Sequence, residues 1–190
     1  MKYILAITGA SGIIYGVRLA EELGNMGHDV YAIFTNGAKA TAKYELSDAM
    51  ERVGRSSKAI FGENELDSPM ASGSVRFDGM VIAPCSMKTL ASIANGLEEN
   101  LVSRAGLVQL KERRPLILLL RETPLSTLHI MNMLKASIGG AIIVPASPGF
   151  YGAPKTVGDL VDFQVGKVLD LLGIQHNLFR RWSGPEGSGD

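Results

Sequence analysis

Five short apolar runs constrain this chain more than any other feature. Residues 3–8, 29–35, 79–84, 115–120 and 141–145 read as strands, and helical patterns lie between and after them, near 12–25, 37–53, 87–95, 99–112, 124–137 and 156–172. Strands that are apolar on both faces must be covered on both, and strands that alternate with helices join through crossovers. A parallel sheet with helices on each side meets both conditions. The expectation is a doubly wound α/β fold, Rossmann- or flavodoxin-like, in three α/β/α layers. Its ligand should sit beyond the carboxyl ends of the strands. With 190 residues and no composition break between halves, the chain reads as one domain over 1–180 with a tail at 181–190. The end of that tail, GPEGSGD, reads as disordered or as an arm on a neighbouring subunit. Residues 54–76, rich in Ser, Gly and charged groups, read as a long excursion with the character of a lid.

Composition removes several function classes. Nineteen basic residues balance nineteen acidic ones, so bulk charge implies neither a nucleic acid nor a membrane surface as partner. The N-terminal apolar run passes straight into a glycine turn and is too short for a signal peptide or a membrane span. The single cysteine, Cys85, excludes an internal disulfide and fits a reducing, cytoplasmic setting. No Cys–His pair is evident, and His28, His129 and His176 are scattered. Cys85 therefore reads as a buried, inert thiol, and no metal-ligand spacing is present.

The turn after the first run is ITGASGIIYG, residues 7–16. Gly9, Ser11 and Gly12 lead from a strand into a helix, where close backbone approach and free N–H groups favour an anion. A dinucleotide is a poor candidate for that anion. G-x-G-x-x-G is absent, and a T-G-x-x-G-x-x-G turn would place its last glycine at Tyr15, one residue before Gly16. The second run ends in Thr35, where a dinucleotide site needs an acidic residue for the ribose. Tyr151 and Lys155 have the spacing of a dehydrogenase Tyr–Lys pair, but Gly152 and Pro154 argue against a helix between them. Two loops, at Ser11 and Thr35, suit the phosphate of a mononucleotide. A third loop follows residue 84, where Ser86 and Thr89 stand at a helix start.

The segments TGASGIIYGVRL, ASGSVRFDGMVIAPCSMKTLASIANG, NLVSRAGLVQLKERRPLILLLRETPLSTLHIMNML, PASPGFY and DLVDFQVGKVLDLLGI resemble the UbiX-type flavin prenyltransferases, within the homo-oligomeric flavin-containing decarboxylase-like fold. The resemblance spans almost the whole chain, and PCSMKTLA with KERRPLILLLRETPL carries most of its specificity. It implies an enzyme that binds reduced FMN and joins to it a dimethylallyl group from dimethylallyl monophosphate, without metal. The prenylated FMN then goes to a UbiD-type decarboxylase. By residue, it places Gly9, Ala10, Ser11, Thr35, Ser86, Met87, Lys88, Thr89 and Arg121 at the flavin. It places Ser11, Glu45, Lys111 and Glu122 in proton transfer and catalysis, and Arg104, Lys111, Tyr151 and Lys167 at the prenyl phosphate. It also implies a dodecamer with sites at subunit interfaces.

Two positions depart from the family pattern. Thr35 stands where relatives usually carry Ser and keeps the hydroxyl. Lys167 stands where most carry Arg, and it loses the planar double hydrogen bond to phosphate. The helix around it has an apolar stripe, Leu160, Phe163, Val168 and Leu171, expected to pack inward. Lys111 and Arg121 bracket the fourth apolar run, so a second subunit is expected to supply Lys111 to a shared site. Asp159 and Asp162, the nearest approach to an aspartate-rich metal cluster, fit the start of a helix instead. Two rivals remain at this stage: a flavin-dependent cysteine decarboxylase, whose catalytic His and substrate loop are not evident, and a non-catalytic FMN carrier subunit.

Overall fold

A computed structural model describes residues 1–181. Two compact units divide the chain, Met1–Ala146 and a second that begins at Ser147. The first is built on a six-stranded, all-parallel sheet. Its strands are β1 (Lys2–Ile7), β2 (Asp29–Phe34), β3 (Ala59–Gly62), β4 (Gly79–Cys85), β5 (Leu116–Leu120) and β6 (Ile142–Pro145), in the order β3-β2-β1-β4-β5-β6. The helices are α1 (Ile13–Asn25), α2 (Asn36–Glu45), α3 (Ala49–Ser56), α4 (Met87–Ala94), α5 (Leu101–Lys111) and α6 (Thr127–Ile138). The chain winds outward from β1 in one direction through α1–α3 and in the other through α4–α6. With right-handed crossovers the two helix sets cover opposite faces, which gives the expected doubly wound, three-layer arrangement.

Burial follows from composition. β4 and β5 are buried at every residue, and β1 at every residue but its first. These are the continuous apolar runs, and they occupy the middle of the sheet. Gly16 lets α1 lie against the sheet, since a Cβ there would strike the Ala83 carbonyl and the Ile7 side chain. Its place, one residue later than a dinucleotide turn requires, is thus set by helix–strand packing.

Two features correct the sequence reading. The polar excursion at 54–76 contains a sixth strand, β3, paired in parallel with β2 from Tyr31↔Ala59 to Phe34↔Gly62. β3 is a four-residue edge strand, half-buried throughout, so it lacks the continuous apolar run that marks the others. The same excursion holds a single 3-10 turn, Pro69–Ala71, whose Met70 is fully buried. The helix expected over 37–53 is two helices, because the chain becomes extended at Leu46 and restarts after Asp48. That break makes Glu45 the last residue of α2.

The second unit carries α7 (Val157–Leu171), opened by a reciprocal cap between Thr156 and Asp159. Its buried face runs through Val161, Gln164, Val165, Val168 and Leu169. The expected stripe is rotated from this face: Leu171 is exposed, and Leu160 and Phe163 are only half-buried. Gly166 explains part of the rotation, because the rings of His176 and Phe179 close over it. The tail at 182–190 lies outside the described residues. None of the described helices is long and apolar enough to cross a membrane.

Candidate functional site

β1 and β4 are neighbours in the sheet, and the chain leaves them toward opposite faces. Thr8, just past β1, is buried in the resulting crevice. Its hydroxyl donates to the Pro84 carbonyl at 2.7 Å and accepts from the Ser86 N–H at 2.8 Å, so it staples the two strand ends together. A cavity of about 310 Å³ opens beside this staple.

Three helix N-termini meet at that cavity. Thr35 caps α2 by accepting from the Ala38 N–H at 3.0 Å, and Ser86 caps α4 by accepting from the Thr89 N–H at 3.3 Å. Asn100 caps α5 by accepting from the Ser103 N–H at 3.1 Å, while the Ser103 hydroxyl accepts from the Asn100 N–H at 3.2 Å. All three cap residues line the cavity, and so does Lys88. The first-turn N–H groups of a helix have no acceptor within it and carry the positive end of its dipole. Three such ends plus a lysine form a site for a compact anion. Gly9 and Gly37 let two of the loops touch, since a Cβ on Gly9 would lie 3.0 Å from the Gly37 Cα. Two carboxylates also face the cavity. Glu99 lies 3.7 Å from the Lys88 ammonium, and Glu63 accepts from the Asn36 N–H at 2.9 Å and the Asn100 amide at 3.2 Å.

The glycine turn itself already holds an anion, and the chain supplies it. Gly12 caps α1 at φ 100°, a left-handed conformation in which glycine is unstrained. The Glu45 carboxylate accepts from the N–H groups of Gly12 at 2.8 Å and Ile13 at 3.0 Å. Burial opposes ionisation of Glu45. Hydrogen bonds from the Ser11 hydroxyl and the two N–H groups, with the Arg121 guanidinium nearby, outweigh it and hold the carboxyl below its ordinary value. Arg121 follows β5, and its Nε donates to the Ser11 carbonyl at 3.2 Å. Ser11, Glu45 and Arg121, far apart in sequence, thus form one group.

The other expected residues fall in separate places. Ala10 is buried in the turn, Lys88 and Thr89 line the cavity, and Met87 packs against the core. Glu122 is exposed and accepts from its neighbour's N–H, that of Thr123, at 3.0 Å. Lys111 and Arg104 do not join this group. Lys111 ends α5, on the far side of β5 from Arg121, and pairs with Glu112 at 2.6 Å. Five strand residues at about 3.3 Å each separate the two ends. Arg104 pairs with Glu98 and donates to the Ala71 carbonyl at 3.2 Å. In the second unit, Tyr151 lies edge-on to Phe163 and lines a cavity of about 250 Å³. Lys167 is exposed and 3.8 Å from Asp170, which also binds Arg181 at 2.6 Å and His176 at 3.2 Å. Cys85 is buried, as expected, and burial pushes its thiol pKa up.

Sequence reasoning missed Thr8, Gly37, Glu63, Ser92, Glu99, Asn100 and Ser103 around the first cavity. Asn100 and Ser103 carried a signal, the three-residue spacing of a cap. Glu63 carried none, because only β3 brings it there.

A doubly wound sheet with an anion cavity at its strand-order reversal defines a protein that holds a phosphorylated, mononucleotide-sized ligand. The sequence model of the family described as Flavoprotein matches residues 1–169. A curated flavin prenyltransferase UbiX from Aquifex aeolicus is 46% identical over 187 residues, covering 96% of this chain and 99% of that protein. The crystal structure of AnUbiX (PadA1) in complex with FMN and dimethylallyl pyrophosphate matches with a TM-score of 0.94 at 40% identity, over 96% of this chain and 97% of that one. A dodecameric FMN-dependent UbiX-like decarboxylase from Escherichia coli O157:H7 matches with a TM-score of 0.93 at 42% identity, over 97% and 100%. The chain belongs to the Flavoprotein family and, within it, to the UbiX flavin prenyltransferases.

Proposed function

We propose that this chain joins the dimethylallyl group of dimethylallyl monophosphate to N5 and C6 of reduced FMN, releasing phosphate and making prenylated FMN for a UbiD-type decarboxylase. The observation that carries the reading is the cavity where the caps of α2, α4 and α5 converge beside Lys88, next to the Ser11–Glu45–Arg121 group. The residues fit FMN. Helix N-termini, Lys88 and the hydroxyls of Thr35, Ser86 and Thr89 are donors for one phosphate, and the Gly9–Gly37 contact lets backbone line the flavin. Bound reduced FMN supplies the nucleophilic ring atoms.

The chain's own groups do the rest. Arg121 spends its Nε on Ser11, and the other N–H groups of its guanidinium serve the departing phosphate. Glu45, ionised and hydrogen-bonded to Ser11, accepts a proton through that hydroxyl. Glu122, beside Arg121 and open to solvent, is the second proton carrier. Arg104 and Lys111 come from an adjacent subunit, and Tyr151 and Lys167 complete the donor-phosphate set.

Oligomerisation has a surface to explain. α6 exposes Leu128, Met131, Leu134 and Ile138, which recur along one side of the helix and suit burial against another copy. A dodecamer fits this face and the dodecameric relative. The family match crosses the boundary at Ala146, which favours one functional domain over 1–180. A cytoplasmic setting fits the free, buried Cys85.

The direct test is the mass of the flavin. Purified protein with reduced FMN and dimethylallyl monophosphate should yield a flavin heavier by one five-carbon unit. Recovery of unmodified FMN alone would reject the reading.

A further inference from the structure

Glu63 lies on none of the elements that sequence reasoning assigned to the site, yet it reaches two of the three helix ends at the cavity. It follows Gly62, the last residue of β3, and its backbone carbonyl accepts from the Leu101 N–H at 2.7 Å. Its side chain then bridges α2 and α5, with Oε1 on the Asn36 N–H and Oε2 on the Asn100 amide. Among the described residues no cation pairs with this carboxylate, whereas Glu99 has Lys88.

The Asn36 N–H is a first-turn donor of α2, and the acceptor it meets is Glu63, which lines the cavity. Thr35 already takes the Ala38 N–H, which leaves those of Asn36 and Gly37 as the first-turn donors at the α2 end. A carboxylate oxygen and a phosphate oxygen cannot both occupy the Asn36 N–H, and two anions that close repel each other.

We infer that Glu63 competes with the flavin phosphate for the N-terminus of α2 and thereby keeps the hold on that phosphate weak. This rests on the proposed function and gives it a physical consequence. Acceptor and product carry the same phosphate, so any site that grips the acceptor through it grips the product equally. An internal carboxylate that returns to Asn36 offsets the loss of contact as the product leaves.

The test is direct binding of FMN and riboflavin to the wild-type protein, E63Q and E63A, read by flavin fluorescence and by calorimetry. Riboflavin lacks the phosphate and is the control. E63A frees the Asn36 N–H, and E63Q keeps the length and hydrogen-bonding shape of Glu63, so one variant serves if the other folds poorly. The expected result is FMN binding tighter by about 10-fold or more, equivalent to about 1.4 kcal/mol, with a slower FMN off-rate and riboflavin affinity within about twofold of wild type. Unchanged or weaker FMN binding in the variants overturns the inference. So does an equal shift for riboflavin, which would place Glu63 against the ribityl chain or ring. Wild-type protein that fails to bind FMN overturns the functional reading as well. Wild-type binding without the variant effect overturns only the role of Glu63.

Discussion

Two helix N-termini in this molecule each hold a carboxylate from a later element, and they hold it differently. At α1, Glu45 meets two backbone N–H groups and the Ser11 hydroxyl, with Arg121 close by, and its ionised form is stabilised. At α2, Glu63 meets one backbone N–H and one side-chain amide, and no cation pairs with it among the described residues. On the proposed function the first carboxylate belongs to the site, and on the inference drawn for Glu63 a flavin phosphate displaces the second. A helix end is thus an anion site whose occupant is decided by what else converges on it.

The largest effect should come from breaking the α1 arrangement. Glu45→Gln keeps the shape of the side chain but removes the charge and the proton acceptor. Prenyl transfer should fall about 10²–10⁴-fold, while FMN affinity stays within about threefold. Single-turnover rates and fluorescence titration measure the two, and a turnover equal to wild type would demote Glu45 to a structural cap.

The donor phosphate is a further anion, and Lys167 tests where it is held. Lys167→Ala should weaken apparent donor binding about 10–100-fold, the value of a charged hydrogen bond, with FMN affinity unchanged. An equal loss for donor and FMN would reject the specific role. Lys167→Arg should retain or improve donor use, if the guanidinium can leave Asp170 as the ammonium does.

The contact between the two loops can be broken directly. Gly9→Val puts a branched side chain where the Gly37 backbone lies, at 3.0 Å from the Cβ position. It should cost about 1–3 kcal/mol of stability and abolish FMN retention on purification. Thermal unfolding and the flavin absorbance of the purified protein report both.

Smaller effects sharpen the comparison. Asn100→Ala removes the α5 cap and one of the two donors to Glu63, and should cost about 1 kcal/mol, or about 2–4 °C in Tm. Protonation separates the α1 end from the rest. The folded-state pKa of Glu45 lies below its ordinary 4.5, so its contribution is fully present above about that value and is lost as pH falls through the depressed one. Glu45 is largely solvent-exposed, so screening keeps the effect small. The Tm difference between wild type and Glu45→Gln, expected at about 2 °C or less, should vanish in acid. A difference that grows as pH falls would mean that the carboxylate is not the stabilising form.

Sequence alone determined that the sheet is parallel and covered on both faces, and it placed five of the six strands. β1, β4 and β5 are apolar on both faces, and that property is local, so a run of residues reveals a buried parallel strand without its neighbours. The cap at Ser86 was legible for the same reason, since a hydroxyl before a helix acts within three residues, whereas Thr35 was read as a phosphate-loop residue and its capping of α2 came from the structure. β3 was not, because an edge strand of four half-buried residues is held by pairing with β2 and not by its own composition. Nor was the identity of the anion at the glycine turn. Free N–H groups announce that some anion is wanted, but only the path of α2 across the start of α1 brings Glu45 there, and only β3 carries Glu63 to Asn36. Helix ends and strand interiors are short-range facts, whereas the choice of partner between elements tens of residues apart is made by tertiary packing.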